Sequence, residues 1–147
     1  MHSIFNVGPY LNSRFLVEIS GLIVGGFSEV TGLQIETEFE EVKEGGVNDY
    51  VHKLPKGTKH SNLVLKRGIT NSNTLWHWYQ NVVNGNIVRR SGAILLLDFN
   101  EYRAIRWNFK DAYPIKWTGP DLHSKDSTIS IETLELVHNG ISKLGYF

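Results

Sequence analysis

A chain of 147 residues, 41% hydrophobic and 12% aromatic, has enough apolar material for one core and is too short to call for a second domain, so residues 1–147 are read as one unit. Basic and acidic residues number 15 each, which excludes bulk attraction to nucleic acid or anionic lipid and leaves recognition to local patches. The lack of cysteine excludes disulfides, thiol nucleophiles and zinc–thiolate sites and fits an intracellular site of synthesis, while the lack of a basic-then-apolar N-terminus or of roughly 18 consecutive apolar residues gives the reading of a soluble chain.

From Arg14 to Ser20, Phe15, Val17 and Ile19 fall on one face and Glu18 and Ser20 on the other, which is strand period. Gly21 ends the run, and "LIVGGFSEV" predicts a second strand, bent or bulged at Gly25-Gly26, that completes a hairpin. Leu33, Ile35, Thr37 and Phe39 then alternate with Gln34, Glu36, Glu38 and Glu40, giving one apolar and one acidic face. A glycine-rich excursion follows, punctuated by Gly45-Gly46, Asn48-Asp49, Pro55 and Gly57, before strand character resumes at Leu63 and Leu65.

Asn71, Ser72 or Asn73 can cap a helix whose apolar positions are Leu75, Trp78, Tyr79, Val82 and Val83, with Gly85 as its stop. "AILLLDF" suits a strand buried on both faces, and "RAIRWNFKDA" alternates cleanly after a hairpin loop at Asp98 to Tyr102. Pro114 and Pro120 bracket a segment without clear period. In "STISIETLELVHNG", Ile129 and Ile131 are out of phase with Leu134 and Leu136, which predicts a bulge near Glu132-Thr133 or burial of both faces. The sum is a mainly β chain of about seven strands, an antiparallel sandwich or barrel with one flanking helix.

Catalytic signatures are missing: there is no nucleophile elbow, metalloprotease helix, phosphate loop or dinucleotide fingerprint, and "KGTKHS" lacks the glycine spacing of a phosphate loop. The six histidines, at 2, 52, 60, 77, 123 and 138, never take ligand spacing, so they read as solvated or hydrogen-bonded rather than metal-binding. Asp98, Asn100 and Glu101 read as a polar turn. No cofactor or metal is expected. Trp76, Trp78, Trp107 and Trp117 are expected mostly in the core; Trp76 falls off the apolar helix face and is the candidate for cover by another subunit.

The charges are sorted. Five acids lie between Glu36 and Glu44, and five Lys or Arg with no acid lie between His52 and Arg67. Two readings fit: a solvated hairpin with unlike strands, or complementary patches between copies that set register in a ring or stack.

The order of segments resembles the tail tube proteins of contractile phages and of phage tail-like extracellular contractile injection systems. "YLNSRFLVEISG", "VGGFSEVTGLQIETE", "EGGVNDYVHKLP", "NLVLKRGIT", "LWHWY", "PIKWTGPDL" and "ISIETLELVHNG" carry it, from about Pro9 to Gly140. The resemblance implies a non-enzymatic structural subunit that assembles as a hexameric ring, with rings stacked into a tube that a sheath drives into a target membrane. It implies assembly in the cytoplasm, release in phage tail-like particles, and partners in the chain itself, sheath, baseplate or spike and tube-cap proteins. Effector cargo in the lumen is a further implied partner, nucleic acid is not a specific ligand, and the membrane is met only as a target.

A ring-stacking loop is implied over Glu44 to Gly57, with Glu44, Gly45, Gly46, Val47, Asn48, Asp49, Lys53, Lys56 and the neighbouring Lys59 as contact residues. Glu36, Glu38 and Glu40 become candidates for the lumen. Relatives with this pattern run Leu-Pro-Gly, whereas Lys56 stands between Pro55 and Gly57 here. Two alternatives stay open: a tube-initiating adaptor at the baseplate, and a monomeric β-sandwich binding module that stacks glycan or nucleobase on Trp76 or Trp117.

Overall fold

The first alternation becomes strand β1 (Arg14–Ile19), with Val17 and Ile19 buried and Glu18 on the opposite face. The structure is a computed structural model and describes residues 14–43, 51–68, 73–98, 103–122 and 130–144. Ser20 and Gly21, both at positive φ (53° and 84°), turn the chain into β2 (Leu22–Phe27). The β1–β2 register shifts where Val17 pairs with Gly25 but Glu18 pairs with Ile23, so the expected bulge lies beside the glycine pair.

One sheet is formed by β2, β1, β7 (Arg90–Asp98), the first half of β8 (Arg103–Thr118) and β10 (Ile141–Leu144). The other is formed by β3 (Glu29–Thr31), β6 (Leu63–Gly68), β9 (Ile131–Val137) and the second half of β8. Every pairing is antiparallel. Val17, Ile94 and Phe109 from the first sheet meet Leu63, Leu65, Leu134 and Leu136 from the second in one core. Full burial of such side chains stabilises by roughly 1.5–3 kcal/mol each before conformational entropy is counted. Helix α1 (Thr74–Val83) lies on the flank, burying Leu75 and Trp78, with the Trp78 indole N–H donating to the Val88 carbonyl at 3.0 Å. Gly85 follows at φ 84°, the left-handed stop that was expected.

Four expectations change. The segment after Pro114 is strand: β8 runs on to Thr118, with Asp111 at φ 52° and a register shift between Pro114 and Lys116 carrying it from one sheet to the other. Its alternation is hidden by that bulge. No bulge interrupts β9 against β6, because the core face continues from Leu136 and Leu134 to Glu132 and leaves Ile131 exposed. Glu132 is accommodated there by Arg67, which is 3% exposed, with Nε 2.6 Å from Oε1 and Nη1 donating to the Val24 carbonyl at 2.9 Å. Val83, expected on the buried helix face, is exposed. Lastly, the second half of the expected excursion is strand β5 (Val51–His60), which pairs with β4 (Ile35–Lys43) as a separate two-stranded sheet.

Candidate functional site

The β4–β5 arm is the feature that the sandwich does not absorb. Its root is fixed at Gly32, φ 96°, where a Cβ would lie 1.9 Å from the Asn62 carbonyl oxygen, so only glycine permits this approach. The Ser61 amide donates to the Gln34 carbonyl at 3.2 Å, and Ile35 opposite His60 opens the ladder. Thr37 pairs with Thr58, but Phe39 pairs with Pro55, so Lys56 and Gly57 together face Glu38. The residue that interrupts Leu-Pro-Gly thus coincides with a β-bulge, which accommodates one extra residue by bending its strand. A ribbon with no third strand tolerates Pro55, since neither outer edge needs its missing donor.

The sorted charges meet across this ribbon. Glu36 lies opposite Lys59, Glu41 lies opposite Lys53, and Glu38 forms an ion pair with Lys59. The hydrogen bond and charge of Glu38, helped by the charge of Glu36, hold the Lys59 ammonium above its ordinary pKa against a small desolvation cost. Lys53 Nζ lies 5.5 Å from the Phe39 ring centroid. Much of the charge opposition is therefore intramolecular, whereas Glu40 faces Leu54, and Lys56 in the bulge has no ion-pair partner among the described residues.

Sequence pattern alone missed the arm's exposed apolar residues. One face carries Ile35 and Phe39, 54% and 55% exposed, and the other carries Leu54 at 50% together with Val42. The expected contrast between an apolar and an acidic face holds in composition, yet both faces of β4 meet water in the single chain. Glu36, Glu38 and Glu40 alternate onto one exposed face. Of the expected loop contacts, Lys53, Lys56 and Lys59 are on β5, while Glu44, Gly45, Gly46, Val47, Asn48 and Asp49 lie outside the described residues.

Other candidates resolve differently. Trp76 is 37% exposed and meets Trp117 edge to face at 4.7 Å, so its own chain covers part of it. "KGTKHS" is extended strand at the end of β5, not a phosphate loop. Among the described residues no three His, Asp or Glu side chains cluster as a metal site, and no helix is long and apolar enough to cross a membrane. An open groove of about 620 Å³ includes Glu18, Arg106 and Asn108 in its lining. Arg106 donates to both Glu18 oxygens at 3.2 and 2.8 Å and to Asn108 at 2.8 Å, so these groups satisfy one another.

Comparisons agree with an architectural reading. A chain of the anti-feeding prophage baseplate is 26% identical, covers 94% of this chain and 97% of its own, and superposes with a TM-score of 0.77. A chain of an extracellular contractile injection system, the PVC sheath–tube complex in its extended state, is 20% identical over 99% of each chain, with a TM-score of 0.84. Hcp1 from Flavobacterium johnsoniae is 18% identical over 91% of this chain and 98% of its own, with a TM-score of 0.57. Curated protein sequences give no match. The model of the T4-like virus tail tube protein gp19 matches residues 11–142, and the chain belongs to that tail tube family.

Proposed function

We propose that the chain is the repeating, non-catalytic subunit of the inner tube of a contractile injection particle, in which six copies close into a ring, rings stack, and the β4–β5 arm reaches a neighbouring copy. The arm carries this reading. A lone two-stranded ribbon is marginally stable in water, yet this one exposes Ile35 and Phe39 on the face opposite its glutamates, and docking that face on a second copy would bury them. Ring closure would also pair the sheet edges at β2 and β10, which have no further strand beside them among the described residues and, if left so in a lone subunit, invite unregulated association.

In this assembly Glu36, Glu38 and Glu40 are assigned to the water-filled lumen and Trp76 to a contact between copies. Glu44, Gly45, Gly46, Val47, Asn48, Asp49, Lys53, Lys56 and Lys59 are assigned to the stacking arm. Sheath, baseplate, spike and cap proteins are the further partners, effector cargo occupies the lumen, and a membrane is met only by the assembled particle. Synthesis and assembly take place in the cytoplasm, before release of the particle.

Negative-stain electron microscopy of the purified protein, with its mass in solution, is the test. Open tubes or stacked six-fold rings are expected, and a strict monomer at high concentration overturns the reading. Lys56→Glu is the sharper variant, because Lys56 has no ion-pair partner within the described arm whereas Lys53 and Lys59 lie opposite acids. It should impair stacking and leave the subunit folded; equal loss of both counts against the arm. The 26% identity with a baseplate chain favours a second reading, a tube-initiating adaptor, for which rings form but never stack.

A further inference from the structure

We propose, resting on the reading of the arm as a contact between copies, that His60 and His138 form a proton-released latch at the arm's root, so that acid frees the arm from the sandwich. The two residues are remote in sequence, and their rings meet edge to face at 5.6 Å. His60 is the last residue of β5, opposite Ile35, and His138 directly follows β9. The Gly140 amide donates to His138 Nδ1 at 3.1 Å. That bond assigns Nδ1 as acceptor and places the ring proton on Nε2, from where it donates to the Ser61 carbonyl at 2.8 Å. His138 thereby ties the sandwich to the residue that follows the arm. His60 Nδ1 is buried with no hydrogen-bond partner.

Protonation acts against each contact. A proton on His138 Nδ1 turns an acceptor into a donor facing the donor of Gly140. A proton on His60 Nδ1 is buried without an acceptor on the protein, which costs free energy while the root stays closed. Two charged rings at this separation also repel. The charged groups on the adjoining elements do not compensate: Lys59 on β5 is paired with Glu38, Glu36 on β4 lies opposite Lys59, and Glu135 on β9 accepts from Asn62 at 3.0 Å. On β8, Lys110 meets the 138–140 turn through its backbone, which bonds to Asn139 and Gly140. No carboxylate among the described residues is hydrogen-bonded or ion-paired to either imidazole. A doubly protonated ring therefore fits the closed root worse than a neutral one, and imidazole is the side chain type that gains a charge in mild acid.

The test is hydrogen exchange of the full chain, held below its assembly concentration, at pH 8 and pH 5.5 with intrinsic rates corrected. Working on the unassembled subunit keeps this test independent of whether tubes form. Protection of amides in β4 and β5 near the root is expected to fall at least tenfold at pH 5.5 while β6, β7 and β9 keep theirs. His138→Gln preserves both an acceptor and a donor without titrating, His60→Phe keeps a ring, and the double variant should lose the pH dependence. Unchanged protection of the natural arm between the two pH values overturns the latch, as does an equal acid loss in the double variant. If the double variant does not fold, His60→Phe alone must at least halve the acid effect, and failure to do so also overturns it.

Discussion

In the sandwich, Leu63 and Leu65 alternate with Val64 and Lys66, and the first pair is buried against Leu134 and Leu136. In the arm, Ile35 and Phe39 alternate with Glu36 and Glu40, and none of the four is buried. Both have strand period, so the period specifies the pleat and says nothing of whether a second layer exists. For the body that layer is on the same chain; for the arm no described residue of the same chain supplies it.

Substitutions can break this comparison in order of their expected effect on the subunit. Arg67→Ala leaves Glu132 on the core face without its cation, and loss of one partner of a buried pair costs about 3–5 kcal/mol. Chemical denaturation checks it, and a loss below 1 kcal/mol would show that the pair is not buried in solution. Gly92→Ala is next, because its Cβ would lie 2.2 Å from the Glu18 carbonyl oxygen and 2.5 Å from Phe109 Cζ. The overpacking should cost about 1–3 kcal/mol and lower Tm. Phe39→Asp should change subunit stability by no more than about 0.5 kcal/mol, as surface substitutions do, yet abolish sedimenting assemblies if the arm docks on a neighbour through this face. A folded variant that still forms tubes sinks that docking.

The smallest effect concerns Lys59. Its folded pKa is raised by Glu38, so its contribution is present at neutral pH and is lost as pH rises from its ordinary value through the raised one. Exchange in the arm should quicken there in the natural protein and much less in Lys59→Gln. Equal quickening in both would place the alkaline sensitivity elsewhere.

Period, turn residues and helix spacing made the body legible: Val17 and Ile19, Leu75 and Trp78, and Leu134 and Leu136 are buried as read. The far half of β8 was hidden because Pro114 and a register shift interrupt its alternation at the point where it changes sheets. The break in phase at Ile131 could not be read because a glutamate occupies the core position, and its partner Arg67 is remote in sequence. For the arm, the strand around Ile35 and the opposite charges on either side of Gly45-Gly46 were visible, but β5 was read as an excursion and its pairing with β4 was not seen. Cross-strand register depends on where the bulge falls, and Lys56 gives no sign by itself of whether it lengthens a loop or a strand. The contact of His60 with His138 had no sequence signal at all, since no spacing rule spans it.

The 16 residues of β8 have a mechanical consequence. A pushed tube loads its wall along the axis, and two sheets joined only by apolar side chains can slip, since dispersion contacts resist separation far better than shear. One backbone that is hydrogen-bonded into both sheets acts as a continuous rib. Sliding one sheet past the other then requires breaking ladder bonds on either side of Asp111, so the wall should fail by rupture of that strand's pairings before its layers creep.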